Sequence, residues 1–353
     1  MCDVDIMMIG HFAKDKLVVD GTSEIASGGA VYYGSVALRR IGVSVAVVTR
    51  LHPDDFPLLD ELKQEGVQVF ATPAPETSGI ENIYNSADME RRVCKLMGFA
   101  GPFRREEIPD LSARVYLIAP IIAGELDLPL LKHLATRGPV GLDVQGFVRV
   151  REDGHPSAAL RRAQDTSSGQ ALIFRQWPEM AQGLAHVTYL KVDRAEAELL
   201  TGQTDRSAET SASPSATPFD SAQDKLRTGS VEPRSRRSLR VAARQLAAYG
   251  PREVVVTQSS GVTVYADGQV YEAPFTPRSL AGRTGRGDTC FATYVGKRLS
   301  APAEEACRFA AAVTTLKQEQ PGPWRGTLAD VAAVLAGRRS NPNEPNSKLL
   351  FGH

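Results

Sequence analysis

The chain has 353 residues, with 41 Lys and Arg against 41 Asp and Glu, and so carries no formal net charge. That length suffices for one large α/β domain or two small ones, and the charge balance argues against a nucleic-acid partner, which selects for a basic excess or a basic face. The four cysteines, Cys2, Cys94, Cys290 and Cys307, form no C-x-x-C pair. This argues against a zinc site or a disulfide framework and fits a reducing cytoplasm.

The first predicted strand is Val4–Ile9, a run too short and too acid-flanked for a secretory signal. No stretch reaches the ~18 apolar residues of a membrane span, so the expectation is a cytoplasmic protein without a membrane partner. Residues 14–27 read as extended and end at a Gly-Gly turn; a helix is predicted over 31–41, a strand over 45–49 and a helix over 56–65. Residues 80–98 again read as extended and charged, which with 14–27 suggests either a small β lid or two surface hairpins. Further on, β-branched runs predict strands at 115–119, 140–144, 187–190 and 253–257. Helices are predicted over 125–137, 194–201 and 239–249. Strands alternating with helices imply βαβ units, a mostly parallel central sheet and right-handed crossovers, with ligands beyond the carboxyl ends of the strands. Residues 203–238, rich in Ser, Pro and Thr, read as a disordered insertion. Residues 338–353 read as an unstructured tail, which leaves one domain over 1–337.

The informative segment is Gly282-Arg-Thr-Gly-Arg-Gly-Asp-Thr289, followed by apolar positions Phe291, Val295 and Leu299 at helical spacing. Glycines at 285 and 287 let backbone N–H groups turn toward one point, and the helix start adds unpaired N–H groups and partial positive charge. Such a site suits phosphate. The spacing matches a P-loop, except that Asp288 stands where the lysine would be. A carboxylate beside a γ-phosphate has one sensible task, to take a proton from an acceptor hydroxyl as its oxygen attacks. The plain alternative is a Gly-rich turn with Asp288 as a helix cap.

Thr284-Gly-Arg-Gly-Asp-Thr289 resembles the T-G-A-G-D-T signature of the ribokinase-like (PfkB) carbohydrate kinases, with Arg286 for the usual Ala. The resemblance implies a ribokinase-like α/β fold, a central sheet flanked by helices on both faces, and a β lid. It makes Asp288 the catalytic base, with Gly285, Arg286 and Gly287 completing an anion hole over 285–288. Gly282-Arg283 replace the Asp-Thr that opens the family motif in a region that holds a monovalent cation in many members, which leaves that ion open. Ser27-Gly-Gly-Ala-Val-Tyr-Tyr-Gly34 is similar to the family's G-G-x-x-x-N signature. This implies acceptor contacts from Gly28, Gly29 and Tyr33, with Tyr33 in place of Asn.

Asp15, after the first strand, has a family counterpart that binds substrate hydroxyls, as a carboxylate accepting two such bonds does well. Asp143-Val-Gln-Gly-Phe-Val-Arg149 resembles the D-x-x-G-x-x-R stretch of a sugar and inositol kinase subgroup and adds Asp143 and Arg149 to the acceptor site. Asp193-Arg-Ala-Glu196 matches the family's N-x-x-E with Asp for Asn; three apart on one helical face, both acids are expected to face Mg²⁺. Lys191, Thr257 and Gly261 fall where the family binds nucleotide, and residues 310–316 with Pro321-Gly-Pro323 resemble the helix and turn beside the adenine. The implied activity is ATP- and Mg²⁺-dependent phosphorylation of a small polyol (sugar, inositol or nucleoside), with homodimerisation through the lid. The Tyr32-Tyr33 pair and the 143–146 stretch favour a cyclitol or sugar. The departures at Tyr33, Asp193 and Gly282 motivate the alternative of a non-catalytic ligand-binding or regulatory protein on the same fold.

Overall fold

The computed structural model describes residues 2–85, 88–152, 170–202, 234–282 and 284–338. In chain order the elements are β1 (Val4–Ile9), β2 (Ala13–Val19), β3 (Thr22–Gly28), α1 (Ala30–Arg40), β4 (Val45–Leu51), α2 (Asp60–Gln64), β5 (Gln68–Pro73), β6 (Gly79–Asn85) and β7 (Asp88–Gly98). There follow β8 (Ala113–Ile118), α3 (Leu128–Arg137), β9 (Val140–Asp143), α4 (Gln145–Val148), β10 (Arg149–Arg151), β11 (Gln170–Phe174), α5 (Met180–Leu184), β12 (Tyr189–Asp193) and α6 (Arg194–Thr201). The chain ends with α7 (Arg234–Ala247), β13 (Glu253–Gln258), β14 (Gly261–Ala266), β15 (Gln269–Pro274), α8 (Arg286–Arg298), α9 (Ala303–Gln318) and α10 (Leu328–Leu335).

Among the described residues, nine strands form the main sheet in the order β15-β14-β13-β12-β9-β8-β1-β4-β5. From β13 to β5 every pairing is parallel, while β13–β14 and β14–β15 are antiparallel. The parallel strands are near-continuous apolar runs because helices cover both faces. In β1, Ile6 and Met8 join the core under α1, α8 and α9, whereas Met7 and Ile9 join the core under α3, α6 and α7. The period of two thus divides one strand between two cores.

A second sheet, β10-β11-β7-β6-β2-β3, forms the lid. The predicted extended segments 14–27 and 80–98 supply four of its strands, and β2 and β6 pair in parallel, Lys16 opposite Glu81. The structure extends the predicted lid by β10 and β11, which join it antiparallel through β7.

Several predicted elements change. The helix expected over 56–65 is a 3₁₀ segment, Pro53–Leu59, followed by the short α2; Pro57 removes a donor where an α-helix would use one. The helix expected from 125 starts at Leu128, because Asp127 caps it by accepting the Leu130 N–H at 2.8 Å and Pro129 occupies the first turn. The strand expected over 187–190 runs Tyr189–Asp193. α7 begins at Arg234, so 234–238 belong to a helix rather than to the predicted insertion; residues 203–233, like 339–353 of the predicted tail, lie outside the described residues. Among the described residues no helix is long and apolar enough to cross a membrane.

Candidate active site

The carboxyl ends of β9, β12 and β13, the start of α8 and the inner face of the lid enclose a cleft of about 170 Å³. Its lining includes Asp15 and Asn82 from the lid, Tyr33 and Gly29 from α1 and its entry, and Asp143, Gln145 and Arg149 from the β9–β10 connection. Lys191, Asp193 and Thr257 come from strand ends, and Thr284 to Asp288 from the loop before α8 and its first turn.

Asp288 sits in the first turn of α8. Gly285 is the N-cap with φ 78°, and a Cβ there would lie 2.3 Å from Tyr33 Cγ, so both the left-handed backbone and the close approach require glycine. The first ladder bond is Thr289 N–H to Gly285 O at 2.9 Å. The N–H groups of 286, 287 and 288 precede it and stand outside the helical ladder, at the positive end of the helix dipole. The predicted anion hole and the carboxylate therefore share one wall of the cleft.

Opposite them is the lid wall. Asp15 is buried, and its Oδ1 accepts the Ile80 N–H at 2.9 Å, which joins β2 to β6. Gly28 does not line the cleft; a Cβ there would stand 2.2 Å from Asp15 Oδ2, so this glycine makes room for the carboxylate. Asn82 is buried in the same wall and accepts from Cys94 Sγ at 3.4 Å. Of the tyrosine pair, only Tyr33 reaches the cleft; Tyr32 turns away and its hydroxyl donates to Glu61 at 2.9 Å.

A buried charge cluster closes the base. Lys191 Nζ lies 3.1 Å from Asp143 Oδ1, 3.0 Å from Asp143 Oδ2 and 3.6 Å from Glu196 Oε2. Burial works against the ammonium charge, but Asp143, Glu196, Asp193 and Asp288 outweigh it and raise Lys191 above the ordinary lysine value. Gln145 accepts from Arg149 at 3.0 Å and so aims that guanidinium. Lys191, Arg149 and Arg286 give the cleft a cationic lining suited to phosphoryl oxygens.

The expectation that Asp193 and Glu196 both face a metal is corrected. Asp193 lines the cleft, but Glu196 is fully buried and outside it. The two form a capping box: Asp193 Oδ1 accepts the Glu196 N–H at 2.8 Å and Glu196 Oε2 accepts the Asp193 N–H at 2.6 Å. The three-residue spacing that suggested a shared metal is also that of a capping box. Burial pushes the Glu196 carboxyl upward against the pull of Lys191. Among the described residues no group of three or more His, Cys, Asp or Glu side chains converges to hold an ion. The donors present fit a hydrated Mg²⁺ arriving with a polyphosphate and contacted by Asp193 through water, not a caged resident ion. Gly261 also lies outside the cleft; it opens β14 against β15, where a Cβ would meet Ala273 O at 2.6 Å.

Asn82, Gln145 and Glu125 escaped the sequence reading. Asn82 had a signal, an amide two residues from Ile80 and so on the same face of an extended segment. Glu125, expected to begin a helix, is fully buried and accepts the N–H groups of Ile121, Ile122 and His11 at 2.7, 2.9 and 3.2 Å. It thereby fixes the 119–121 stretch that lines the cleft. Burial raises its carboxyl to about 8 and depresses the neighbouring His11 to about 3.

The family profile of pfkB carbohydrate kinases matches residues 158–327. A solved pyrophosphate-dependent kinase in the ribokinase family, in a sulfate complex, is 34% identical, with 93% of this chain and 99% of that chain covered and a TM-score of 0.74. A second solved structure, of a pyrophosphate-dependent myo-inositol-1 kinase converted into a myo-inositol-3 kinase by replacing an Asn and a Ser with Leu, is 31% identical, covering 95% and 99% with a TM-score of 0.73. The Arabidopsis thaliana ribokinase solved with ribose and ATP shares the fold at 17% identity, a TM-score of 0.65 and coverage of 95% and 99%. No curated protein sequence matches the chain. The chain belongs to the ribokinase-like PfkB family of carbohydrate kinases.

Proposed function

We propose that the chain phosphorylates one hydroxyl of a cyclitol such as myo-inositol, or of a closely related sugar, with inorganic pyrophosphate as the donor. The observation that carries the reaction is Asp288 beside the 285–288 backbone, facing a cleft whose other wall presents Asp15 and Asn82. The acceptor lies between these walls, its spare hydroxyls bound by Asp15 and Asn82. Its reacting hydroxyl gives its proton to Asp288 as the oxygen bonds to the terminal phosphorus of the donor. The bridging P–O bond breaks and the leaving phosphate keeps the electron pair. The 286–288 N–H groups receive the charge on the transferring group, and Lys191, Arg149 and Arg286 hold donor oxygens. Mg²⁺, held through its waters by Asp193, would neutralise donor charge.

Two things favour pyrophosphate over ATP. The relatives above 30% identity named here act on pyrophosphate. The cleft of about 170 Å³ is also smaller than the roughly 300–1,000 Å³ that engulfs a drug-sized ligand, and it reaches Thr257 without reaching Gly261.

The test is acceptor-dependent release of the leaving group (phosphate from pyrophosphate, ADP from ATP, AMP from ADP) over a grid of donors and acceptors (inositols, sugars, nucleosides). The expected result is turnover with pyrophosphate and a cyclitol. Turnover with ATP alone would replace the donor and keep the reaction. Saturable acceptor binding with no phosphorylated acceptor formed from any donor would overturn it in favour of a non-catalytic binding protein.

A further inference from the structure

Lys317, on the last turn of α9, does not line the cleft and is only 1% exposed. Its Nζ donates to Gly282 O at 2.8 Å and lies 5.1 Å from the centroid of the Tyr33 ring. The Gly282 N–H in turn donates to Gln318 O at 2.8 Å. Two successive residues of α9 therefore hold both polar groups of the residue that opens the phosphate-binding segment. No side chain fits at 282, where a Cβ would stand 1.7 Å from Gln320 O. The same Tyr33 ring packs against Gly285, the N-cap of α8. The ammonium and the ring thus support the segment just ahead of Asp288.

Packing alone does not explain a charge at this place. Burying an ammonium costs several kcal/mol, and a carbonyl with an aromatic face repays it weakly compared with a methionine of similar volume. A fixed cation close to where a phosphoryl group gathers negative charge does have a use. Asp288 already acts on this lysine through space: burial draws Lys317 down to about 8, Asp288 draws it up, and Arg325 adds to the downward pull.

We propose that Lys317 is a positioning residue for phosphoryl transfer, a built-in monovalent cation that pins Gly282 and the Tyr33 ring beside Gly285 and supplies charge behind the anion-binding backbone. The proposal rests on the kinase reading above. Replacing the ammonium by an apolar chain of similar length, Lys317→Met, is expected to lower kcat about 100-fold, the scale of a misplaced catalytic group. The acceptor KM changes far less, because Asp15 and Asn82 remain. Affinity for pyrophosphate, measured by calorimetry without turnover, falls about tenfold with the lost field. Lys317→Gly removes the whole side chain and leaves room for a small cation against Gly282 O and the ring. Ammonium or potassium chloride at constant ionic strength restores part of both quantities, lithium chloride does not, and wild type responds to none of them.

A Lys317→Met protein that melts like wild type and keeps its kcat and pyrophosphate affinity overturns the proposal. So does a wild-type protein whose turnover or pyrophosphate affinity rises with potassium, a measurement independent of how the variants fold. Wild-type protein that binds pyrophosphate but transfers nothing refutes the kinase reading alone, and the binding comparison still decides the role of Lys317. Wild type that neither binds nor turns over refutes both.

Discussion

The two sheets meet at the cleft but are buried differently. The main sheet is covered on both faces: Val254, Val255 and Val256 of β13 are all inaccessible. The lid has one open face, with Ile25 and Val93 each 54% exposed and Phe174 44% exposed. The charged groups that the main sheet brings to the site, Lys191 and Asp143, are therefore also part of its core. The lid brings one acid, Asp15, and the neutral amide Asn82, both on a layer with one open face. In the reaction proposed above, the cation that holds donor oxygens is thus built into the stability of the fold, while the groups that face the acceptor stand on the lid wall.

The largest expected effect tests the first half of this contrast. Lys191→Met leaves Asp143 and Glu196 buried without their cation, and breaking such a cluster costs about 3–5 kcal/mol. Urea unfolding reads this directly, and a loss comparable to that of an exposed substitution would show that the cluster is not part of the core.

Asp15→Asn keeps an oxygen for the Ile80 N–H and removes the charge that binds acceptor hydroxyls. A hydrogen bond to a charged group is worth about 1.5–3 kcal/mol, so acceptor KM should rise at least tenfold with the melting temperature unchanged. Equal losses of stability and affinity would erase the distinction between the walls.

Glu125 lies where the two layers join. Its carboxyl is raised from 4.5 to about 8 in the fold, so the fold favours the protonated acid. That contribution is complete below about 4.5 and is lost as pH rises through about 8. The wild-type melting temperature should therefore fall more steeply between pH 5 and pH 9 than that of Glu125→Gln, which does not ionise; parallel curves would contradict this.

The mildest change is expected from Asn82→Leu, which alters the lid wall without touching charge. It should redistribute phosphorylation among acceptor hydroxyls while leaving most of the turnover, as product analysis by ³¹P NMR would show. An unchanged product would remove Asn82 from the specificity wall.

What was legible in the sequence follows from the same contrast. β1, β4, β8, β9, β12 and β13 are doubly covered, so they appear as continuous β-branched runs that composition alone exposes. β15 is the edge strand and β14 its antiparallel neighbour; of their residues the sequence pointed only to Gly261. β10, three residues long, carries no measurable period. At the site, the Gly285–Asp288 segment stood out because an acid replaces the lysine of a P-loop after closely spaced glycines, and the fold brings it to the cleft. Glu196 misled because one spacing serves both a shared ligand and a capping box, and only burial distinguishes them. Lys317 was invisible, since a lysine near a helix end reads as a solvated complement to the dipole.

The central claim is that Asp288 takes the acceptor proton, and the most direct measurement is turnover of Asp288→Asn beside its binding of donor and acceptor. Both ligands should still bind while kcat falls by about 10²–10⁴, the worth of a general base. Wild-type turnover in that variant, or a loss of binding that accounts for the whole change, would contradict it.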